Sequence, residues 1–141
     1  KKVIELSINT AKDFVYLTWP WFDSDDYLKE LGFISFPSTW DIHTCHVTIS
    51  DLKNILKELS FEGIFMAWPR ILDSESDCIL PIDYPRSMGE LHHYKSEYGT
   101  KSIVNFTQPV YHESVCFIVL RDSQKTKNSI EYIRQYNWDI I

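Results

Sequence analysis

Glycine is scarce, at 4 of 141 residues. So few glycines argue against long flexible linkers and leave little with which to build a phosphate-cradling loop. Cysteine is also rare. Cys45, Cys78 and Cys116 are odd in number and irregular in spacing, which argues against a disulfide framework and for a reducing, cytosolic location. No apolar run reaches the length of a membrane span. Lys1-Lys2-Val3-Ile4-Glu5 has no apolar region behind it, so the N-terminus does not read as a signal peptide. Basic charge is short too: 14 Lys and Arg face 20 Asp and Glu, for a net charge of -6. Residues 1–60 carry -3, residues 61–90 carry -4 and residues 91–141 carry +1. A surface poor in Lys and Arg argues against direct nucleic-acid binding and against an anionic membrane. It suits a basic partner, because opposite fields speed encounter.

The chain is otherwise rich in core-forming residues, with 44% hydrophobic and 15% aromatic side chains. Its length suits one globular domain, residues 1–141. Ser114 to Leu120 is the most apolar stretch, Ser-Val-Cys-Phe-Ile-Val-Leu. A short unbroken run of this kind predicts a strand buried on both faces, central to a sheet. Val3–Ile8 and Phe14–Trp19 read as a β-hairpin, with Pro20 ending its second strand. Helices are expected at Asp25–Leu31, with Asp23 or Ser24 as cap and Gly32 past its end, and after Ser50, where Leu52, Ile55, Leu56 and Leu59 form one stripe. A third follows the Ser87/Glu90 capping-box spacing, from Met88 to Tyr98, and a fourth covers Ser129–Tyr136. Further strands are expected at Phe33–Phe36, Ile64–Trp68, ended by Pro69, and Lys101–Phe106, with Pro109 separating the last from the central run. Residues 70–86 read as loop, with a short pairing at Cys78–Leu80. The class is α+β: a helical layer on a mixed or antiparallel sheet.

Catalytic motifs are missing. There is no G-x-S-x-G elbow and no H-E-x-x-H. His43-Thr44-Cys45-His46 has metal-ligating residue types, but no second pair at zinc spacing exists. His92-His93 are adjacent on the expected helix and do not form an i, i+4 ligand pair. Asp73-Ser74-Glu75-Ser76-Asp77 begins like a calcium loop, yet Cys78 stands at the glycine position and Tyr84 where a bidentate Glu is required. No catalytic, metal or cofactor site is therefore assigned. The alternative is a small enzyme or ligand-binding domain with His43, Cys45, His46 or His92 in a pocket.

Aromatic residues mixed with acids are the more informative pattern. Trp21 and Tyr27 flank Asp23, Asp25 and Asp26, and Tyr84 follows Asp83 after the acidic run Asp73, Glu75, Asp77. Aromatic anchors beside carboxylates suit a partner presenting Arg and Lys. In size, acidity and lack of catalytic motifs the chain resembles bacterial immunity proteins that neutralise secreted toxins, including those of contact-dependent growth inhibition. The resemblance implies a cytoplasmic, non-enzymatic inhibitor that occludes the active site of a basic toxin, a nuclease in the expected case. Trp21, Asp23, Asp25, Asp26, Tyr27, Asp73, Glu75, Asp77, Asp83 and Tyr84 are where contact with it is expected.

Overall fold

A computed structural model describes residues 1–39, 45–84, 94 and 100–141. The elements run α1 (Lys2–Thr10), β1 (Phe14–Pro20), α2 (Asp25–Glu30), β2 (Phe33–Ser35), a 3-10 turn (Phe36–Thr39), α3 (Ile49–Glu58), β3 (Gly63–Asp73), β4 (Ile79–Pro81), β5 (Asn105–Val119), α4 (Gln124–Arg134) and β6 (Asp139–Ile140). Four strands form an antiparallel sheet in the order β1-β5-β3-β6, and β2 pairs with β4 separately. The fold class is α+β, as the sequence predicts. Contacts divide the chain into two compact units. One holds Lys1–Trp19, Val47–Pro69 and Glu113–Ile141, and the other Pro20–His46 and Arg70–His112.

In the first unit, Ser114, Val115, Cys116, Phe117 and Ile118 are consecutive and all but sealed from solvent. β5 lies between β1 and β3, which makes it the internal strand expected of this run. Successive side chains point to opposite faces. Val115 and Phe117 pack with Met66, and Ile130, Ile133 and Trp138 close over them. On the other face, Cys116 lies beside Gly63 and Leu56 of α3. Lys53 of α3 sits 5.2 Å over the ring of Phe65. The α3 stripe is as predicted, with Leu52 and Leu56 buried, but the helix starts earlier than Ser50. Thr48 caps it, its hydroxyl accepting from Asp51 N–H while the Asp51 carboxylate accepts from Thr48 N–H.

The expected β-hairpin is wrong in its first half, because Lys2–Thr10 is a helix. Ile4, Ser7, Ile8 and Ala11 are its less exposed positions, a spacing of 3, 4 and 7 that belongs to a helix. Val3 and Leu6 are exposed. The β-branched composition favoured a strand, and packing of the Ile4–Ile8 face overrode it. Ser7 and Thr10 turn their hydroxyls back to the carbonyls of Val3 and Leu6. β1 stands as expected and ends at Pro20.

Two other boundaries are corrected. β3 continues through Pro69 to Asp73, and β5 runs through Pro109 as one strand of 15 residues. Proline is tolerated where no ladder donor is required. β6 pairs with β3 only at Met66 and Ala67, so Pro69 lies past its reach. Trp21 N–H bonds to the His112 carbonyl at the end of β1, and Pro109 lies beyond that bond. The last helix begins at Gln124 rather than Ser129. Ser123 is its cap, accepting from the Thr126 N–H.

In the second unit, β2 and β4 align Phe33 with Pro81, Ile34 with Leu80 and Ser35 with Ile79. Cys78–Leu80 thus pairs much as expected, within a segment otherwise read as loop. Leu28, Phe33, Ile71, Ile79 and Val110 form its core. Gly32 follows α2 with φ +83, the left-handed stop that its sequence position predicts. The predicted helix Met88–Tyr98, the Ser87/Glu90 box and His92-His93 fall outside the described residues, apart from Tyr94.

Two outcomes follow from the packing around β5. A Cβ added to Gly63 would sit 2.6 Å from Cys116 Sγ and 2.9 Å from Leu56 Cδ1. Gly63→Ala is expected to lower stability by about 1–3 kcal/mol in denaturant titration, the range for overpacking. Burial pushes the Cys116 thiol from 9.0 up to about 12. The unfolded thiol therefore ionises first, and folding stability falls as pH rises from about 9 toward 12. The slope approaches ~1.4 kcal/mol per pH unit from this group. Cys116→Ala is expected to flatten that alkaline slope, and an unchanged slope would rule the thiol out as its source.

Candidate functional site

Charge is segregated between the two units. The segments 20–46 and 70–112 carry 5 basic and 11 acidic side chains, a net -6. The other unit carries 9 of each and is neutral. Every residue predicted for partner contact belongs to the acidic unit.

Within that unit the ten residues divide by exposure. Asp23, Asp26, Glu75, Asp77 and Asp83 are exposed, and Asp73 and Tyr27 are half-buried. Trp21 and Tyr84 are each only 6% exposed, so their rings serve the interior rather than a surface. Trp21 packs edge-on against Tyr111, with centroids 4.8 Å apart. Its Nε1–H donates to Ser24 Oγ at 3.0 Å, which occupies the hydroxyl that would otherwise cap α2. Tyr84 lies in the core of Ile34, Phe36 and Leu80, beside Tyr94. The Tyr27 hydroxyl is held by the side chain and N–H of Thr107, which keep its phenol below the usual tyrosine range.

Asp25 is buried at 9% exposure and is bound on both oxygens. Ser38 Oγ donates to Oδ1 at 2.7 Å, and His46 Nδ1 donates to Oδ2 at 2.9 Å. Ser35 completes the chain through Ser38, at 2.7 Å. The His46 ring stacks on Phe22, with centroids 4.2 Å apart and planes at 10°. The sequence places Asp25 at the start of a helix and among the expected partner contacts. Its position in the first turn of α2 is as expected, but its carboxylate orients an imidazole 21 residues away. Such a pairing fixes the tautomer and aim of a histidine. Cys45 is exposed and His43 lies outside the described residues. Among the described residues, no group of three His, Cys, Asp or Glu side chains is placed to hold a metal ion.

The loop Asp73–Asp77 contains a cation that sequence reasoning missed. Lys101 Nζ donates to the carbonyls of Ser76 and Ile79, each at 2.7 Å, and lies 4.8 Å over the Tyr94 ring. Burial lowers the lysine from its usual value, while the nearby charges of Asp77, Cys78, Asp73 and Glu75 oppose that shift. Ser74 is fully buried and ties the loop down, donating to the Ser102 carbonyl and accepting from Val104 N–H. Asp73 Oδ1 accepts from Glu75 N–H, a local turn. The loop is therefore built around its own lysine, with Glu75 and Asp77 left on the outside. No motif spacing links Lys101 to residues 73–79. The sequence signal is only that Lys101 is the sole Lys or Arg in 96–120.

Lys101→Met keeps the stem and removes the three donors. It is expected to speed amide hydrogen exchange at Ile79 and to cost about 1 kcal/mol, the scale of a partly solvated charged hydrogen bond. Unchanged exchange in the loop would show that the lysine does not shape it. No family model, curated protein or solved structure matches the chain.

Proposed function

We propose that the chain is an immunity protein, which binds a basic toxin, a nuclease in the expected case, and occludes its active site. The observation that supports this most is the charge segregation: the whole net -6 falls in the unit that holds the predicted contact residues. Exposed carboxylates at Asp23, Asp26, Glu75, Asp77 and Asp83 offer bidentate acceptors to Arg and point partners to Lys. A nuclease cleft is lined with such cations because it must hold phosphate. Carboxylates would fill it in place of substrate. Tyr27 is half-buried, its hydroxyl held by Thr107 and its ring packed at 6.1 Å from that of Phe106. Trp21, Asp25 and Tyr84 contribute by fixing α2 and β4 rather than by touching the toxin. In this reading the protein is cytoplasmic, is not an enzyme and binds no nucleic acid directly. Among the described residues, no helix is long and apolar enough to cross a membrane.

A second reading, a small enzyme or ligand-binding domain, draws on one observation. Asp25 aims His46 in the manner of a general base held by a carboxylate. It differs from the first in what His46 would matter for: His46→Gln would abolish a catalytic activity but leave toxin binding intact.

The deciding experiment is affinity purification of the tagged protein from its native cells, with bound proteins identified by mass spectrometry. A stoichiometric basic partner is expected, held more weakly as salt rises, whose nuclease activity this chain silences. Reversing charge in the pairs Asp23/Asp26 and Glu75/Asp77 is expected to cut affinity at least tenfold per pair, mainly through slower association. Unchanged affinity in both double variants would remove the acidic unit as the contact surface.

A further inference from the structure

The neutral unit carries a groove that the partner reading leaves unused. It is an open depression of about 510 Å³, lined by Phe14, Tyr16 and Phe117 of the sheet and by one side of α4. That side is Lys125, Asn128, Ser129 and Tyr132, with Ile133 beneath. The spacing is i, i+3, i+4 and i+7, the rhythm of a single helical stripe. α4 thus has two working faces. Ile130 and Ile133 seal Phe117 and Met66, and the adjoining stripe lines the groove with polar groups.

Several of the polar groups can donate. Lys125 contributes an ammonium; its neighbour Lys127 is already held by Asp122 at 3.2 Å. Asn128 Oδ1 accepts from Gln124 Nε2 at 2.8 Å, which leaves the Asn128 amide N–H groups to donate. Tyr132 Oη accepts from Tyr136 Oη at 2.7 Å, which leaves its own proton to donate. Tyr16, 46% exposed, keeps its phenol protonated, because burial and the Glu113 carboxylate both raise it. The Glu113 carboxylate is itself engaged by the Thr18 hydroxyl. The half-buried Phe14 forms the floor, backed by the sealed Phe117, on which it stacks at 4.6 Å and 25°. Tyr132, 59% exposed, stands as one wall.

We propose that this groove binds a small aromatic anion, one planar ring system bearing a carboxylate or phosphate, with the ring against Phe14, Tyr16 and Tyr132 and the acidic group at Lys125 and Asn128. Aromatic faces and donors that converge on one spot specify both halves of such a ligand. The groove volume falls within the usual range of small-molecule sites. The site lies wholly in the neutral unit and stands or falls independently of toxin binding.

The test is calorimetric titration of the full chain with indole-3-acetate and with adenosine 5′-monophosphate, each beside its uncharged counterpart, indole-3-ethanol and adenosine. At least one anion is expected to bind with Kd below about 1 mM, roughly tenfold tighter than its neutral counterpart. The carboxylate and phosphate arms show which acidic group is taken. Lys125→Gln is expected to abolish that tenfold preference while leaving binding of the neutral compound unchanged. Tyr132→Leu is expected to weaken both. Both residues are exposed, and matched melting curves establish that the variants fold. Failure of both anions to bind below about 10 mM, or a charge preference that survives Lys125→Gln, overturns the proposal.

Discussion

A strand with no exposed face must be covered twice. Ser114–Ile118 imposes this on everything around it in the first unit. Val115 and Phe117 require one cover, supplied by α4 with Trp138, and Cys116 requires another, supplied by α3. The close approach of β3 on the second side is possible because residue 63 has no side chain. Each buried aliphatic or aromatic residue here contributes about 1.5–3 kcal/mol relative to exposure. The constraint extends to hydrogen bonding. The bonds joining Leu120 to Asp13 and Trp21 to His112 set one register along β1 and β5, which places Trp19 opposite Ser114. Among the described residues, Trp19 Nε1 and Ser114 Oγ are both buried without a protein partner.

What was legible in the sequence depended on how local the deciding physics was. Burial on both faces erases alternation, so Ser114–Leu120 stood out unaided. The stripe Leu52, Ile55, Leu56, Leu59 and the stop at Gly32 were legible for the same reason: each is fixed within one or two turns. Val3–Ile8 was not. Its apolar residues suit either periodicity, and only docking of Ile4 and Ile8 selects the helix. Pro69 and Pro109 misled because proline forbids a ladder bond only where a neighbouring strand stands, and neighbour length is a tertiary property. The start of α4 was missed because Ser123 lies in a polar stretch with no apolar periodicity to announce a helix.

The candidate site shows the same division. Composition revealed an acid excess and the residues carrying it, but not that one unit holds all of it, because that unit is assembled from two separated segments. Trp21 and Tyr84 were reasonable anchors by residue type, yet type alone does not tell a core aromatic from a displayed one. Asp25 illustrates the limit well. Its place at a helix start was readable, whereas its bonds to Ser38 and His46 depend on the chain returning. Lys101 in the acidic loop is a long-range contact of the same kind.

The interleaving of the two units bears on how the chain is made. It passes between them at residues 19/20, 46/47, 69/70 and 112/113. During synthesis every residue of the acidic unit has been added by His112, while the neutral unit still awaits Glu113–Ile141. That last segment carries the buried half of β5 together with α4. At ribosomal rates of roughly 5–20 residues per second, its 29 residues take a few seconds to appear. Over that interval α3 and the start of β3 have no central strand to pack on. A ribosome stalled near residue 112 would therefore display a chain whose acidic unit is complete in sequence while its neutral unit still lacks a core.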